Sequence, residues 1–255
     1  MIKAKKTEAG TKFSLTNDWK DEDQRIFTVK SVEIPANKIT CLIGCNGIGK
    51  TTAIEEMKQF LQNAGAKDVK DLQEFNPMAG LFESLKNEKP KKPTAYIVFF
   101  DKDSSFVKNQ RKGLDSWCFE HDMGGFLGNF SSNGESVIRR LNGAIEAIEM
   151  FTKKAVQEQV PLWIFIDDVD AGTSIDVIAK VKANLIEADN YLNKHNLEHY
   201  IIVTSNSFEF ARDMYCLYAR NMKQVTVSDY EEYKKFVLKS RKDKEKRDGI
   251  HTDEK

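Results

Sequence analysis

The sequence predicts an α/β fold, with a mainly parallel core sheet flanked by helices and an antiparallel β element near the N-terminus. Four strand-sized apolar runs support the sheet, at residues 39–43, 95–100, 162–166 and 200–203. Such continuous runs are typical of strands that helices cover on both faces. Helical patterns lie between or beside these runs, at residues 51–62, 137–157 and 176–194. This alternation indicates a layered α/β fold.

The other segments are connections and ends. Residues 12–35 predict short antiparallel strands, because Val32 and Ile34 alternate with more polar side chains. Residues 65–93 are polar and contain prolines, so we expect a long connection with one short helix near residues 80–85. Residues 106–129 look irregular. From Asp229 a helical pattern begins and then becomes a lysine-rich tail, which we interpret as solvated and partly frayed.

Composition limits the classes of protein to consider. The 255 residues carry 39 basic and 39 acidic side chains, and this balance gives no global attraction to nucleic acid or acidic membranes. No apolar run approaches the roughly 20 residues of a membrane-spanning helix. The polar N-terminus lacks the apolar core of a signal peptide, and the four cysteines show no disulfide or metal-site spacing. We expect a cytoplasmic protein without direct membrane insertion.

A glycine-rich segment, which we call the glycine loop (residues 44–51), reads Gly-Cys-Asn-Gly-Ile-Gly-Lys-Thr. It follows an apolar run and precedes a helical pattern, which is the context that a phosphate-binding loop requires. Glycines let successive backbone N–H groups point at phosphate oxygens, and the helix N-terminus adds its positive dipole end. Lys50 would reach the β and γ phosphates and Thr51 would hold Mg²⁺. The alternative is an ordinary glycine-rich turn.

Two carboxylates follow the apolar run at residues 162–166. In open α/β sheets, ligands bind beside the carboxyl ends of the strands, so Asp167 and Asp168 are expected next to the glycine loop. Asp167 would hold Mg²⁺, directly or through water, and Asp168 would polarise an attacking water. The alternative is an acidic turn after a strand.

The residue pattern at 44–52, Gly-x-Asn-Gly-x-Gly-Lys-Thr-Thr, resembles the ABC ATPase superfamily, including its SMC and RecF-like branch. The resemblance implies a P-loop NTPase fold, with an ATPase domain at residues 1–228 and a signature subregion at about 101–158. Residues 229–255 would form a C-terminal helix and charged tail. The nucleotide contacts that it implies in this segment are Asn46, Gly47, Ile48, Gly49, Lys50, Thr51 and Thr52.

Residues 130–135, Phe-Ser-Ser-Asn-Gly-Glu, stand where the family carries its signature. Ser132, Gly134 and Glu135 match that motif, whereas Ser131 and Asn133 depart from it. In the family the signature contacts the γ-phosphate bound to the opposite subunit, which implies a homodimer or heterodimer that sandwiches ATP. The alternative is a plain helix N-cap.

Other positions match the family loosely. The family usually has Glu where Asp168 stands and His where Asn206 stands, and both departures imply slow hydrolysis. A strand-end turn is the alternative for Asn206. Gln110 is the candidate for the glutamine that contacts the metal in the family, and Trp19 or Phe13 is the candidate for stacking on adenine.

Together these features predict an ATPase that uses ATP and Mg²⁺ as a nucleotide-driven dimerisation switch for an unidentified effector protein. The resemblance suggests bacterial or phage genome maintenance or defence as its setting. Three alternatives stay open. They are the nucleotide-binding subunit of a transporter, a small-molecule phosphotransferase with Arg139 and Arg140 as its clamp, and an ATP-dependent nucleic-acid clamp that uses lysines near 89–92 and in the tail.

Overall fold

A computed structural model gives the fold and describes residues 6–7, 10–15, 26–69, 92–101, 133–170 and 172–249. Its main sheet has seven strands in the order β10-β9-β4-β8-β7-β6-β5. All neighbours in this sheet are parallel except β9 and β10. The strands are β4 (Lys38–Ile43), β5 (Lys67–Asp68), β6 (Tyr96–Phe100), β7 (Leu162–Ile166), β8 (His199–Thr204), β9 (Tyr215–Tyr218) and β10 (Lys223–Val225).

The helices alternate with these strands, which confirms a mixed α/β fold with a mostly parallel sheet. They are α1 (Lys50–Asn63), α2 (Asn133–Glu158), α3 (Ile175–Lys194), the short α4 (Phe208–Ala211) and α5 (Tyr230–Arg247). The four predicted apolar runs are strands β4, β6, β7 and β8, and the three predicted helical patterns are α1, α2 and α3.

Helices or strands cover both faces of the main sheet, which explains why its strands are apolar throughout. In β7, Ile164 packs with α2 and α3 residues such as Phe151 and Val181, whereas Phe165 packs on the opposite face with Met57 of α1. Each face therefore has its own layer of buried side chains, and no strand residue in β7 is left to face water.

The predicted N-terminal antiparallel element is also present. Strands β1 (Lys6–Thr7), β2 (Gly10–Ser14) and β3 (Ser31–Pro35) form a separate three-stranded sheet. Val32 and Ile34 are buried while Glu33 is exposed, so the alternation in the sequence corresponds to one covered face. Its buried residues share a core with α1.

Two expectations need correction. Strand β5 lies inside the segment that the sequence predicts to be a connection, and the short helix expected near 80–85 lies outside the described residues. The C-terminal segment is a helix as far as Arg247, and Ser240 is only 1% exposed, so the frayed-tail interpretation is wrong for this part. Asp229 caps this helix by accepting hydrogen bonds from the N–H groups of Glu231 and Glu232.

Among the described residues, no helix has the length and apolar character needed to cross a membrane.

Candidate functional site

The glycine loop connects the carboxyl end of β4 to the first turn of α1, at the edge of the sheet where β7 and β8 also end. Gly47 and Gly49 have φ angles of 76° and 116°, in the left-handed region that favours glycine. A Cβ atom on Gly49 would also lie 2.3 Å from Cγ2 of Ile26. The loop therefore needs glycine at this position for both conformation and space.

The start of α1 is suited to an anion. Gly49 is its N-cap and provides no side-chain acceptor, and the first turn of this fully described helix contains no acidic residue. The first N–H groups of a helix lack intrahelical partners and carry partial positive charge. The glycine loop thus ends in an uncompensated helix N-terminus, an arrangement that binds phosphate in many proteins.

Lys50 is held over the loop. Its side chain is buried, and Nζ donates hydrogen bonds to the carbonyl oxygens of Gly44 at 3.0 Å and Cys45 at 3.3 Å. A third bond runs from Nζ to Oδ1 of Asn206 at 2.7 Å. Burial lowers the pKa of the Lys50 ammonium from its usual value, and the negative charges of Asp168 and Asp170 oppose that shift. A phosphate group in the loop would give the Lys50 ammonium a negatively charged hydrogen-bond partner, in place of the neutral oxygens that it bonds now.

Asp167 connects α1, β7 and β8. Its Oδ2 accepts a hydrogen bond from Thr51 Oγ1 at 2.8 Å, and its Oδ1 accepts one from Thr204 Oγ1 at 2.6 Å. This carboxylate is only 7% exposed, yet these two donors are neutral hydroxyl groups. A buried carboxylate gains from a nearby cation.

The hydroxyl of Thr51 and the carboxylate of Asp167 are hard oxygen donors, so this pair fits Mg²⁺. The described residues contain no group of three or more His, Cys, Asp or Glu side chains that could hold a metal alone. Mg²⁺ typically keeps several waters and shares its coordination with substrate phosphates. Two protein ligands would therefore be enough for Mg²⁺ if the glycine loop binds a phosphate.

Asp168 has an unusual backbone conformation. Its φ angle is 57°, in the left-handed region, and its N–H donates to Thr204 Oγ1 at 2.7 Å. Asp and Asn tolerate this region better than other residues with a β-carbon. This conformation therefore suits Asp better than a longer side chain such as Glu.

Asn206 contacts both Lys50 and the acidic turn after β7. Besides accepting from Lys50, it donates its backbone N–H to both carboxylate oxygens of Asp170, at 3.1 and 2.9 Å. Burial raises the pKa of the Asp170 carboxyl above its usual value, and the hydrogen bond from Asn206 opposes this shift. The structure thus brings together Lys50, Thr51, Asp167, Asp168 and Asn206.

Two members of this network were not predicted as site residues. Thr204 bonds both Asp167 and Asp168, and Asp170 positions Asn206. The sequence carries a signal for each, since Thr204 ends a buried strand with a polar side chain and Asp170 follows the acidic pair. Neither signal distinguishes a site residue from an ordinary turn, because the pairing between neighbouring strands sets which side chains meet.

Gln110, Ser132 and Trp19 lie outside the described residues, and Gly134 and Glu135 belong to the start of α2, where only the backbone is described. Phe13 is fully buried and makes edge-to-face contacts with Phe60 and Trp163. It is a packing residue, and adenine stacking is not its role.

The remaining loop residues differ in exposure. Asn46 and Gly47 are exposed, Thr51 is exposed at its helix start, and Thr52 is half-buried. Ile48 is fully buried and packs with Cys45, Tyr218 and Ala219, so it anchors the loop.

No protein-family model matches the chain, and no curated protein matches it significantly.

Proposed function

We propose that this chain is a P-loop ATPase of the ABC type, resembling the SMC and RecF-like branch, that binds ATP with Mg²⁺ and hydrolyses it slowly. The observation that carries the proposal is the hydrogen-bond network at the end of the sheet. In it Lys50 bonds the glycine loop and Asn206, while Thr51 bonds Asp167. Residues of the types that would hold phosphate and Mg²⁺ therefore lie within one hydrogen-bond network.

The loop and Lys50 would hold the phosphates. Loop N–H groups and the start of α1 favour negative charge. The buried ammonium already lies against loop carbonyls, and its present partners are neutral oxygen atoms. Phosphate oxygens are stronger partners for an ammonium than these, because they carry negative charge and add a Coulombic attraction that neutral oxygen atoms lack.

Mg²⁺ would be held by Thr51 and Asp167, with Thr204 fixing the second carboxylate oxygen of Asp167. A bound Mg²⁺ supplies electrostatic stabilisation to negative charge on the phosphates. The protein's contribution is to present two oxygen donors in a fixed orientation, which the bonds from Thr51 and Thr204 achieve.

We expect slow turnover because of the residues at two positions, Asp168 and Asn206. The Asp168 carboxylate is one methylene shorter than Glu, and its backbone is turned into the left-handed region. Asn206 donates hydrogen bonds but cannot take a proton. A displaced base costs rate even when substrate binds well. Binding of ATP, more than its hydrolysis, is therefore the feature that this site favours.

The switch would operate through dimerisation, with ATP sandwiched between two copies, or between this chain and a related one, and with the resulting state passed to an effector. Asp168→Asn should keep ATP bound and block hydrolysis, because Asn tolerates the same backbone conformation and cannot act as a base. In light scattering with ATP and Mg²⁺, we expect this variant to be a stable dimer. A phosphate-release assay should detect no hydrolysis by it.

Lys50→Ala is the matched control, and it should stay monomeric with ATP because it lacks the ammonium that binds phosphate. If Asp168→Asn remains monomeric with saturating ATP, the sandwich is wrong. If it hydrolyses ATP as the wild type does, Asp168 is not the base.

A further inference from the structure

Helix α5 packs directly against the glycine loop, although the contacting residues are 195 to 200 positions apart in sequence. The backbone N–H of Cys45 donates to Ser240 Oγ at 2.9 Å, and Ser240 is almost fully buried. The hydroxyl of Tyr218, at the end of β9, donates to Asp243 Oδ2 at 2.9 Å. These contacts fix the middle of α5 beside the start of the loop.

Arg247 makes the second contact, about two helical turns after Ser240 on the same face of α5. Its Nη2 donates to the carbonyl oxygen of Gly47 at 3.0 Å, and its Nη1 lies 3.5 Å from the carbonyl oxygen of Ile48. The guanidinium is held by Asp248, whose Oδ1 accepts from Nε at 2.8 Å, and the Arg247 side chain is only 9% exposed. Because Arg247 is largely buried and bonds two loop carbonyls, it contributes to the structure of the loop.

Lys244 closes the remaining space. A Cβ atom on Gly47 would lie 2.7 Å from Cε of Lys244, so the Lys244 side chain lies directly against Gly47. Asn46 lines a cavity of about 140 Å³ together with Arg241, Lys244 and Glu245 of α5. Helix α5 therefore lies against the glycine loop at Cys45, at the exposed Asn46 and at Gly47.

These contacts affect the atoms that would bind phosphate. In a planar trans peptide the C=O and the following N–H point in opposite directions. Because Arg247 draws the Gly47 and Ile48 carbonyls towards α5, the N–H groups of Ile48 and Gly49 point away from the helix. The N–H of Ile48 donates to the carbonyl oxygen of Cys45 at 3.3 Å, so Arg247 holds a turn of the loop that this bond closes.

We propose that Arg247 and Ser240 are positioning residues that hold the glycine loop in its phosphate-binding conformation, so that the docking of α5 and the binding of ATP strengthen each other. This inference rests on the proposed function. It also gives α5 a role, since anything that displaces this C-terminal helix would weaken nucleotide binding. Reciprocity follows from thermodynamic linkage, so ATP must stabilise docked α5 by the same factor.

The first test measures ATP affinity. Arg247→Ala should bind ATP with Mg²⁺ about tenfold more weakly than the wild type, the effect of one charge-assisted hydrogen bond. Arg247→Lys should recover part of the loss, because an ammonium reaches one carbonyl but not two. Lys235→Ala removes the same charge from an exposed position about 18 Å away along the helix and should bind like the wild type.

The second test measures hydrogen exchange in the wild type, so it does not depend on how a variant folds. Mg²⁺ and ATP should slow exchange of the α5 amides about tenfold, and Lys50→Ala should show no such change. The inference is overturned if Arg247→Ala binds ATP as tightly as the wild type, or if ATP leaves α5 exchange unchanged. If the wild type does not bind ATP, the proposed function itself fails, which the affinity measurement reports separately.

Discussion

Thr204 shows how one hydroxyl organises the acidic end of β7. It donates to Asp167 and accepts from the backbone N–H of Asp168, so it fixes the carboxylate expected to hold the metal and the turn that carries the expected base. It is fully buried, and therefore water cannot replace either bond. A side chain that was not predicted as a site residue thus controls two that were.

Thr204→Val should lower the free energy of unfolding by about 1–3 kcal/mol, because it leaves a buried N–H and a buried carboxylate oxygen without their partner. Urea unfolding measures this difference. Because Asp167 loses its orientation, ATP affinity measured with Mg²⁺ should fall as well.

Thr40→Val provides the matched control. Thr40 is a fully buried strand residue whose hydroxyl has no hydrogen-bond partner among the described residues. Valine should be neutral or stabilising there, because it removes an unsatisfied polar group and suits a strand. Equal losses in the two variants would mean that the Thr204 bonds contribute nothing beyond packing.

At this scale the sequence predicts residue types better than their conformation. It identifies Asp167 and Asp168 from a strand followed by two acids. It does not indicate that Asp168 adopts the left-handed region, since that conformation depends on the bond to Thr204 from a strand 36 residues later. The sequence shows which residues are neighbours along the chain, whereas the pairing of β7 with β8 determines which side chains meet in the fold.

At the scale of elements, α5 is the helix whose role the sequence least predicts. Its contact face follows helical spacing, with Tyr233, Phe236 and Val237 packed on the core, followed by Ser240 and Arg247 on the glycine loop. The first three are apolar, but the later two are polar, so the apolar pattern stops before the contact face does. The lysine-rich composition therefore suggested a solvated tail.

Tyr233 allows a test of how α5 is held. The side chain is buried, burial raises its pKa, and its hydroxyl has no hydrogen-bond partner within the described part of the chain. Tyr233→Phe should leave the free energy of unfolding unchanged or raise it, since it removes only the unsatisfied hydroxyl.

Tyr233→Ala should lower that free energy by about 3–5 kcal/mol, because it leaves a large cavity beneath the helix. Chemical denaturation of both variants measures the contrast. A Tyr233→Ala protein as stable as the wild type would show that packing of Tyr233 does not hold α5 in place.

The long elements were predictable and the short ones were not. Strands β4, β6, β7 and β8 are buried on both faces, which gives an apolar run that is visible without any partner. Strands β5, β9 and β10 have two to four residues. Runs this short have no distinctive sequence pattern, and they become strands only because they pair with neighbouring strands.

At the scale of the whole molecule, the parallel sheet accounts for the site. Parallel strands place all their carboxyl ends at one edge, so loops that are distant in sequence converge there. The sequence predicted that Lys50, Asp167 and Asn206 would converge, and the structure brings them together. The presence of α5 at the same edge was not predicted, because no rule of sheet topology places a terminal helix.

The glycine loop is proposed to bind ATP, and calorimetric titration with ATP and Mg²⁺ measures that binding. We expect saturable one-to-one binding to the wild type. Affinity should be about a hundredfold lower for Lys50→Ala, because a buried charged contact to phosphate is lost. Absence of binding to the wild type, or equal binding by Lys50→Ala, would contradict it.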